Sequence, residues 1–384
     1  MTYPKNSRKK VIVICMLDSS HSARWLSQFK DQLVDFTLIP STPNRKVHPL
    51  IRELVSKNSN SATYSLSTTI RFLTIPLWSL DLILGNRLRG FIVSYISKKH
   101  KSDYIHALEL NHAGYIASKA SRFGLATNTQ IISTNWGSDI YWFQKYERHQ
   151  KKIIELMKAS HLYSAECHRD LALATKHGFV GSFLEVSPNA GGIPNEFLSR
   201  DIVPASVRTV VLVKGYESFV GRASIALAAI SEIASELRDF ELIVYSANRK
   251  TIRLVRRIQD DTKLNIRAIP KKRLTHSEML NLFGTARTYV GVSLSDGIST
   301  SLLEAMAMGA FPIQTNTSCA EEWIDDGITG KLIAPNQEEI KNSLRLALNN
   351  DSLVDQASLI NRQTIANKCN EEQIKLKSLK FYGL

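Results

Sequence analysis

The chain has 384 residues, enough for two ordinary domains with separate cores. Hydrophobic residues make up 43% and charged residues 22%, a balance that excludes a disordered or low-complexity chain. Lysine and arginine number 49 against 35 acids, so the formal charge is +14; either the excess serves general solubility or it meets an anionic partner.

Three anionic partners fit that charge: a phosphorylated ligand, an acidic membrane surface or nucleic acid. The basic clusters are Arg8-Lys9-Lys10, Lys98-Lys99-His100-Lys101, Arg253 with Arg256-Arg257, and Lys271-Lys272-Arg273. They are scattered, few aromatics interleave with them, and no nucleic-acid-binding signature accompanies them, so no nucleic acid is expected. Cys15, Cys167, Cys319 and Cys369 are far apart and lack CxxC spacing. They read as free thiols in a reducing compartment, which predicts a cytoplasmic protein with neither a disulfide frame nor a zinc site.

In chain order, the basic N-terminus leads into a short apolar run, Val11 to Met16. That run is too short for a signal peptide and suits a first strand. Ile70 to Ile96 is rich in Leu, Ile, Phe and Trp but is interrupted by Arg71, Pro76, Asp81, Arg87 and Arg89. A spanning helix needs roughly 20 nearly uninterrupted apolar residues, so no span is expected. Two readings stay open: a buried amphipathic helix pair, or a helix lying on a membrane surface with its arginines at the headgroups.

Short β-branched runs alternate with helical patterns throughout. Strands are expected at Lys10–Met16, Asp35–Ile39, Asp103–Ala107, Gln130–Ser133, Leu162–Ala165 and Leu184–Val186. A second set follows at Thr209–Lys214, Glu241–Ser246, Leu264–Ile269, Thr288–Ser293 and Phe311–Gln314. Amphipathic stretches such as His112–Phe123, Ser224–Leu237 and Ser277–Ala286 lie between them, which argues for parallel sheets with helices on both faces. The breaker cluster from Ser187 to Asn195 separates the two sets. The expected organisation is a first domain over 1–190, a linker over 191–204, a second domain over 205–350 and a helical tail over 351–384. The tail has the choice of packing on either domain, the first included. Ligands of doubly wound sheets bind outside the strand carboxyl ends.

The segment Ser293 to Gly309 reads strand, loop, helix, with Asp296-Gly297 as a turn pair and Ser299, Thr300 and Ser301 at a helix start. A helix N-terminus offers unpaired N–H groups and a partial positive charge, and Gly297 allows close backbone approach. Asp296 and Glu304 flank the same start. Carboxylates repel phosphate, so their targets are hydroxyls; phosphate plus polyol is the chemistry of a nucleotide sugar. The plainer alternative is a Ser301-x-x-Glu304 capping box beside an ordinary turn.

This segment resembles the donor-binding motif of the family 4 retaining glycosyltransferases of the GT-B fold, whose signature is two acids with seven residues between them. Asp296 and Glu304 have that spacing, with Asp in place of Glu at the first position. The run Glu322-Trp323-Ile324-Asp325-Asp326-Gly327-Ile328-Thr329-Gly330-Lys331-Leu332 also resembles the family's E-x-I-x-x-G-x-x-G-x-L pattern. The resemblance is specific over 205–340 and looser before it.

It implies an α/β GT-B fold: two doubly wound Rossmann-like domains facing a central cleft, with a C-terminal helical tail. It also implies a metal-independent, retaining enzyme with a nucleotide-diphosphate sugar as co-substrate and no resident cofactor. The acceptor would be a polysaccharide or lipid-linked saccharide, met in the cytoplasm or peripherally at the inner membrane face. Glu304 would hold the donor ribose and Asp296 the transferred sugar. Gly297, Ile298, Ser299, Thr300 and Ser301 would line the diphosphate, and Lys214 and Arg222 would supply the family's basic pair. Thr134-Asn135-Trp136-Gly137-Ser138-Asp139 resembles the family's T-H-G-x-D turn, with Asn135-Trp136 at the histidine position. Asp139 then contacts sugar or acceptor, or else caps a helix. His21, His106 and Glu109 are further candidates for first-domain contacts, although a lone residue of this kind is more often structural. Competing expectations are a nucleotide-sugar epimerase of the same fold and a non-catalytic nucleotide-binding scaffold. A dehydrogenase is not expected, because no G-x-G-x-x-G follows a predicted strand at either domain start.

Overall fold

The computed structural model describes residues 8–43, 46–57, 61–67 and 76–384. The part of the Ile70–Ile96 stretch before Pro76, Arg71 included, lies outside the described residues. The chain divides into two compact units: Met1–Gly191 with Glu372–Leu384, and Gly192–Glu371.

The first unit is built on a seven-stranded sheet in the order β3-β2-β1-β4-β5-β6-β7, with every pair parallel. Its strands are β1 (Lys9–Cys15), β2 (Val34–Pro40), β3 (Ala62–Leu66), β4 (Tyr104–Leu108), β5 (Gln130–Thr134), β6 (Leu162–Ser164) and β7 (Ser182–Phe183). Val11 to Cys15 are all buried because β1 is central and covered on both faces. Alternation splits its side chains between two cores. Val11, Val13 and Cys15 join Trp25, Phe29 and Phe36 on one face, while Ile12 and Ile14 join Val93, Ile116 and Ala120 on the other. Burial pushes the Cys15 thiol up to about 12, so it is a packing group, and all four cysteines are buried and outside any disulfide.

The second unit repeats the plan with six parallel strands in the order β10-β9-β8-β11-β12-β13. They are β8 (Val210–Lys214), β9 (Glu241–Ala247), β10 (Ile266–Pro270), β11 (Ala286–Gly291), β12 (Phe311–Thr315) and β13 (Lys331–Ile333). In each unit the strand order reverses at one place, between β1 and β4 and between β8 and β11. Those are the topological switch points, where neighbouring βα loops part and leave room for a ligand.

β3 and β13 were not expected from the sequence. Both are edge strands with polar residues, which need neither a long apolar run nor strong β-branching. β7 falls at Ser182–Phe183 rather than Leu184–Val186, and it is only two residues long.

The stretch from Asp351 onward is divided between the units. The Asp351–Lys368 helix puts Val354 and Ala357 into the core of the second unit. The last residues belong to the first unit, where Phe381 and Tyr382 are buried against Trp25, Phe29 and Phe36. Among the described residues, no helix is long and apolar enough to cross a membrane.

Candidate active site

In the second unit, β8 ends at Lys214 and the chain turns at Gly215. A Cβ there would lie 2.7 Å from the Tyr245 carbonyl oxygen, so no side chain fits. The loop that follows is laced to the loop after β11. Leu294 N–H donates to the Val220 carbonyl at 2.8 Å, Arg222 N–H donates to the Val292 carbonyl at 3.0 Å, and Gly221 bridges Ser293. The two loops at the β8/β11 switch point therefore form one edge.

The helix after this edge runs from Thr300 to Ala307, with Ser299 as N-cap. The Ser299 side chain makes no capping bond to the helix; its hydroxyl instead receives a hydrogen bond from Lys214 Nζ at 3.0 Å. A lysine is thus held at a helix N-terminus, where the first N–H groups have no intrahelical carbonyl to meet. An anion placed there meets an ammonium and a helix end together. Tyr289 lies beneath. Burial raises its pKa, partly offset by the Lys214 charge.

Because the helix starts at Thr300, Glu304 stands beyond its first turn, and the Ser301–Glu304 capping box does not form. Glu304 is buried and accepts from His276 Nε2 at 2.9 Å. His276 opens the helix His276–Thr285, fixed by a capping box between Thr275 and Glu278. Sequence reasoning missed His276. The Thr275-x-x-Glu278 pattern signals the helix start, but the pairing with Glu304 is tertiary. Asp296 is half-buried and accepts from its neighbour's backbone, Gly297 N–H, at 3.0 Å. That N–H is therefore occupied. Ile298 is buried. Thr300 and Ser301 are half-buried on the first turn. Arg222 is the residue just before the Ala223–Glu232 helix, and its Nη1 donates to the carbonyls of Ser218 and Gly221 within its own loop.

The carboxyl edge of the first unit is acidic. Asp139 is the first residue of the helix Asp139–Phe143, not its cap. Its carboxylate accepts from Leu110 N–H at 2.8 Å, Asn111 Nδ2 at 2.9 Å and Trp136 N–H at 3.3 Å. Burial, and then the nearby Glu109 charge, push its pKa well above the ordinary carboxylate range, against the backbone bonds from Leu110 and Trp136. The cap for Ile140 N–H is Asn135, whose Oδ1 accepts at 3.0 Å while its Nδ2 donates to Asp170 at 2.8 Å. Asn135 is fully buried, which corrects its assignment as a ligand contact.

Glu109 has φ 126, a region that side chains rarely occupy. Its carboxylate accepts from His112 N–H at 3.0 Å and Ala113 N–H at 2.8 Å, which fixes the π-helical turn Leu110–Gly114. Glu166, which sequence reasoning also missed, accepts from Asn189 N–H at 3.1 Å and Gly137 N–H at 3.4 Å.

His106 is a second correction. It is wholly buried, bonded to Tyr382 Oη and to Thr134 Oγ1, each at 2.7 Å, and burial drives its pKa down to about 3. It is a core group and not a ligand contact. His21 and Trp136 do come together, with ring centroids 5.8 Å apart.

Two doubly wound parallel units in one chain, with a cation and a helix N-terminus at one switch point, define the GT-B class of α/β protein. Residues 208–350 match the family model described as Glycosyl transferases group 1, and residues 10–165 match Glycosyl transferase 4-like. The chain belongs to this group of family 4-like glycosyltransferases and is an enzyme of sugar transfer.

Solved structures share the whole architecture at low identity. A glycosyltransferase from Rickettsia africae ESF-5 is 16% identical with a TM-score of 0.71, covering 98% of each chain. Anabaena Alr3699/HepE in complex with UDP-glucose is 11% identical with a TM-score of 0.70, covering 97% of this chain and 98% of that one. Sucrose-phosphate synthase from Thermosynechococcus elongatus is 14% identical with a TM-score of 0.73, covering 98% of each chain. No curated protein sequence matches significantly.

Proposed function

We propose that this enzyme transfers a sugar, with retention at the anomeric carbon, from a nucleoside-diphosphate sugar to a polysaccharide or lipid-linked saccharide acceptor. The carrying observation is Lys214, whose ammonium sits 3.0 Å from Ser299 Oγ at the start of the Thr300–Ala307 helix.

As the glycosidic bond breaks, negative charge builds on the β-phosphate of the leaving diphosphate. Lys214 and the helix N–H groups of Ile298 to Ser301 are fixed donors for that charge and need no reorganisation when it appears. Arg222 adds a second cation by exchanging its loop carbonyls for phosphate oxygens. Cations and amides fill the role of a metal ion in this proposal, and the co-substrate is the nucleotide sugar itself. Glu304, oriented by His276, takes the ribose hydroxyls, and Asp296 takes hydroxyls of the transferred sugar. The Anabaena relative holds UDP-glucose, which supports a donor of this class.

The acceptor is assigned to the first unit because its carboxyl edge carries Asp139 with Glu109 and Glu166 beside it. Such an edge repels phosphate and suits hydroxyls, and His21 with Trp136 adds an aromatic surface for a sugar face. The cytoplasm, at the inner face of the membrane, is the proposed place of reaction.

A panel of nucleotide sugars screened by thermal shift tests the donor half. One member is expected to raise the melting temperature by mass action, and incubation with acceptor saccharides should release the nucleoside diphosphate. Proton NMR of the product then reads the anomeric configuration. Absence of any donor-dependent shift, or an inverted product, overturns the corresponding half of the proposal.

A further inference from the structure

Three donors hold Asp139 among the described residues, and they are shared unequally between its oxygens. Oδ2 accepts from two backbone groups, Leu110 N–H at 2.8 Å and Trp136 N–H at 3.3 Å. Oδ1 accepts from one side chain, Asn111 Nδ2 at 2.9 Å. A carboxylate offers about four lone-pair sites, two on each oxygen, so the site left over is on Oδ1. Asp139 keeps part of its surface exposed. The oxygen able to take a further hydrogen bond is therefore the one that Asn111 steadies.

Asn111 is fixed in turn. With Nδ2 committed to a carboxylate, its Oδ1 faces away and accepts from Tyr115 Oη at 3.2 Å. That bond uses the single phenolic proton. The other group on the hydroxyl, His149 Nδ1 at 2.9 Å, is then a donor. The protons point one way along the chain, from His149 through Tyr115 and Asn111 to Asp139 Oδ1. Burial, with the Asp139 and Glu109 charges, raises the Tyr115 pKa, so its hydroxyl keeps the proton that the chain requires. Burial, and then the charges of Lys152, Arg148 and His112, lower that of His149, which favours the neutral ring.

The fold builds this chain from rigid parts. Leu110 and Asn111 both meet Asp139 because they open the π-helical turn Leu110–Gly114, whose start Glu109 fixes. Single π turns recur at functional sites. Tyr115 is buried at the first position of the helix Tyr115–Arg122. His149 comes from another helix, Glu147–Ala159, which is pressed onto the turn: a Cβ on Gly114 would lie 2.3 Å from Leu156 Cδ2. Aromatic rings flank His149, with Phe143 at 4.8 Å and Tyr146 at 6.4 Å between centroids. Helix capping does not account for the chain, since Asn135 already caps Ile140 N–H.

We infer that Asn111, Tyr115 and His149 are positioning residues for sugar transfer: their one-way chain keeps Asp139 a hydrogen-bond acceptor and aims the open site of its Oδ1 at a saccharide hydroxyl. Each bond of such a chain polarises the next. The inference rests on the reading that Asp139 takes an acceptor hydroxyl, and it names the groups that keep Asp139 able to do so.

Two measurements on the full chain test it. The first needs no substrate. Nitrogen NMR of isotope-labelled histidine, with the His149 signal assigned by its loss in H149Q, should find the proton of the neutral ring on Nδ1. In Y115F that preference should disappear. A proton on Nε2 in the wild type would mean that the chain runs outward from a protonated Asp139, and it overturns the inference.

The second is kinetic, at saturating donor. The probe is the saccharide that releases nucleoside diphosphate in the acceptor panel. Y115F should raise the KM for that saccharide about fivefold, the order of one hydrogen bond, with kcat changed less and the donor-induced stabilisation unchanged. His149→Gln keeps an N–H for Tyr115 and should stay near the wild type, whereas His149→Leu has none and should follow Y115F. Should Y115F misfold, this pair at the half-buried His149 carries the same contrast. Equal KM values for all three variants and the wild type overturn the inference, and so do equal shifts for the two His149 variants. Asp139→Asn separates the failures: a raised acceptor KM there with none in Y115F sinks the chain alone, while no effect there sinks the reading of Asp139 as well.

Discussion

The two units share one plan and treat their switch points oppositely. Both place the order reversal after the central strand, and both end their strands on one edge. In the second unit that edge offers Lys214 and a helix N-terminus, a setting for anions. In the first it offers Asp139, whose pKa is raised by burial and then by the nearby Glu109 charge, the setting proposed for hydroxyls. The histidines follow the same division. His276 lies at the surface side of the second unit's site and orients a carboxylate, whereas His106 is sealed in the first unit's core. A shared strand order around the switch point therefore says nothing of ligand charge; the side chains at the strand ends decide it.

The largest expected effect tests the anion side. Lys214→Ala removes the fixed ammonium, and turnover should fall about 100- to 1000-fold, the usual cost of losing one donor to developing charge. Glu304→Ala should raise the donor KM and reduce turnover less, because its hydroxyl contacts are made in the ground state as well. Product formation at saturating and limiting donor separates the two. If Lys214→Ala turns over normally, the contrast between the units does not govern catalysis.

A smaller effect tests the hydroxyl side. Asp139→Asn keeps the shape but halves the acceptor oxygens, and the acceptor KM should rise roughly tenfold, the order expected from one hydrogen bond to a charged group. Donor-induced stabilisation should be unchanged. The same variant reports on pH. The folded-state pKa of Asp139 is raised, so its contribution to stability is greatest below the ordinary carboxylate value and declines as pH climbs from that value through the folded one. Denaturant midpoints should lose that decline in the variant. A donor KM that moves with the acceptor KM would show that Asp139 does not serve one side alone.

How much of this could be read from sequence differs along the chain. The central strands were legible because burial on both faces forces continuous apolar runs, as in Val11 to Cys15 and Val210 to Val213. The loop and helix from Asp296 to Glu304 were legible because helix starts, turn pairs and acid spacing are local. What was not legible is tertiary. Nothing near Glu304 in sequence points to His276, which lies 28 residues away. Nothing in β4 tells that Tyr382, 276 residues on, closes over His106. The edge strands β3 and β13 escaped because runs of five and three residues are too short to tell a strand from a loop by pattern. Glu109 was a candidate contact at a strand end, and its backbone at φ 126 and its bonds to two N–H groups give it a structural task.

The sealed histidine gives the smallest and most local prediction. His106 bonds both ring nitrogens to neutral hydroxyls, and burial alone lowers its pKa from 6.5 to about 3. Between those values the unfolded chain takes up a proton that the folded chain refuses. The contribution of His106 to stability is therefore complete above pH 6.5 and is lost as pH falls toward 3, with a slope of up to about 1.4 kcal/mol per pH unit. His106→Gln keeps a polar side chain between Thr134 and Tyr382 but cannot titrate. Denaturant unfolding at pH 7 and pH 5.5 should show the wild type losing about 1 kcal/mol more than the variant. The loss belongs to the first unit, since Tyr382 and Trp25 pack on the same ring. An equal loss in both proteins would assign the acid sensitivity to other groups and leave His106 open to solvent, which would bring it back toward the ligand role that its burial now denies it.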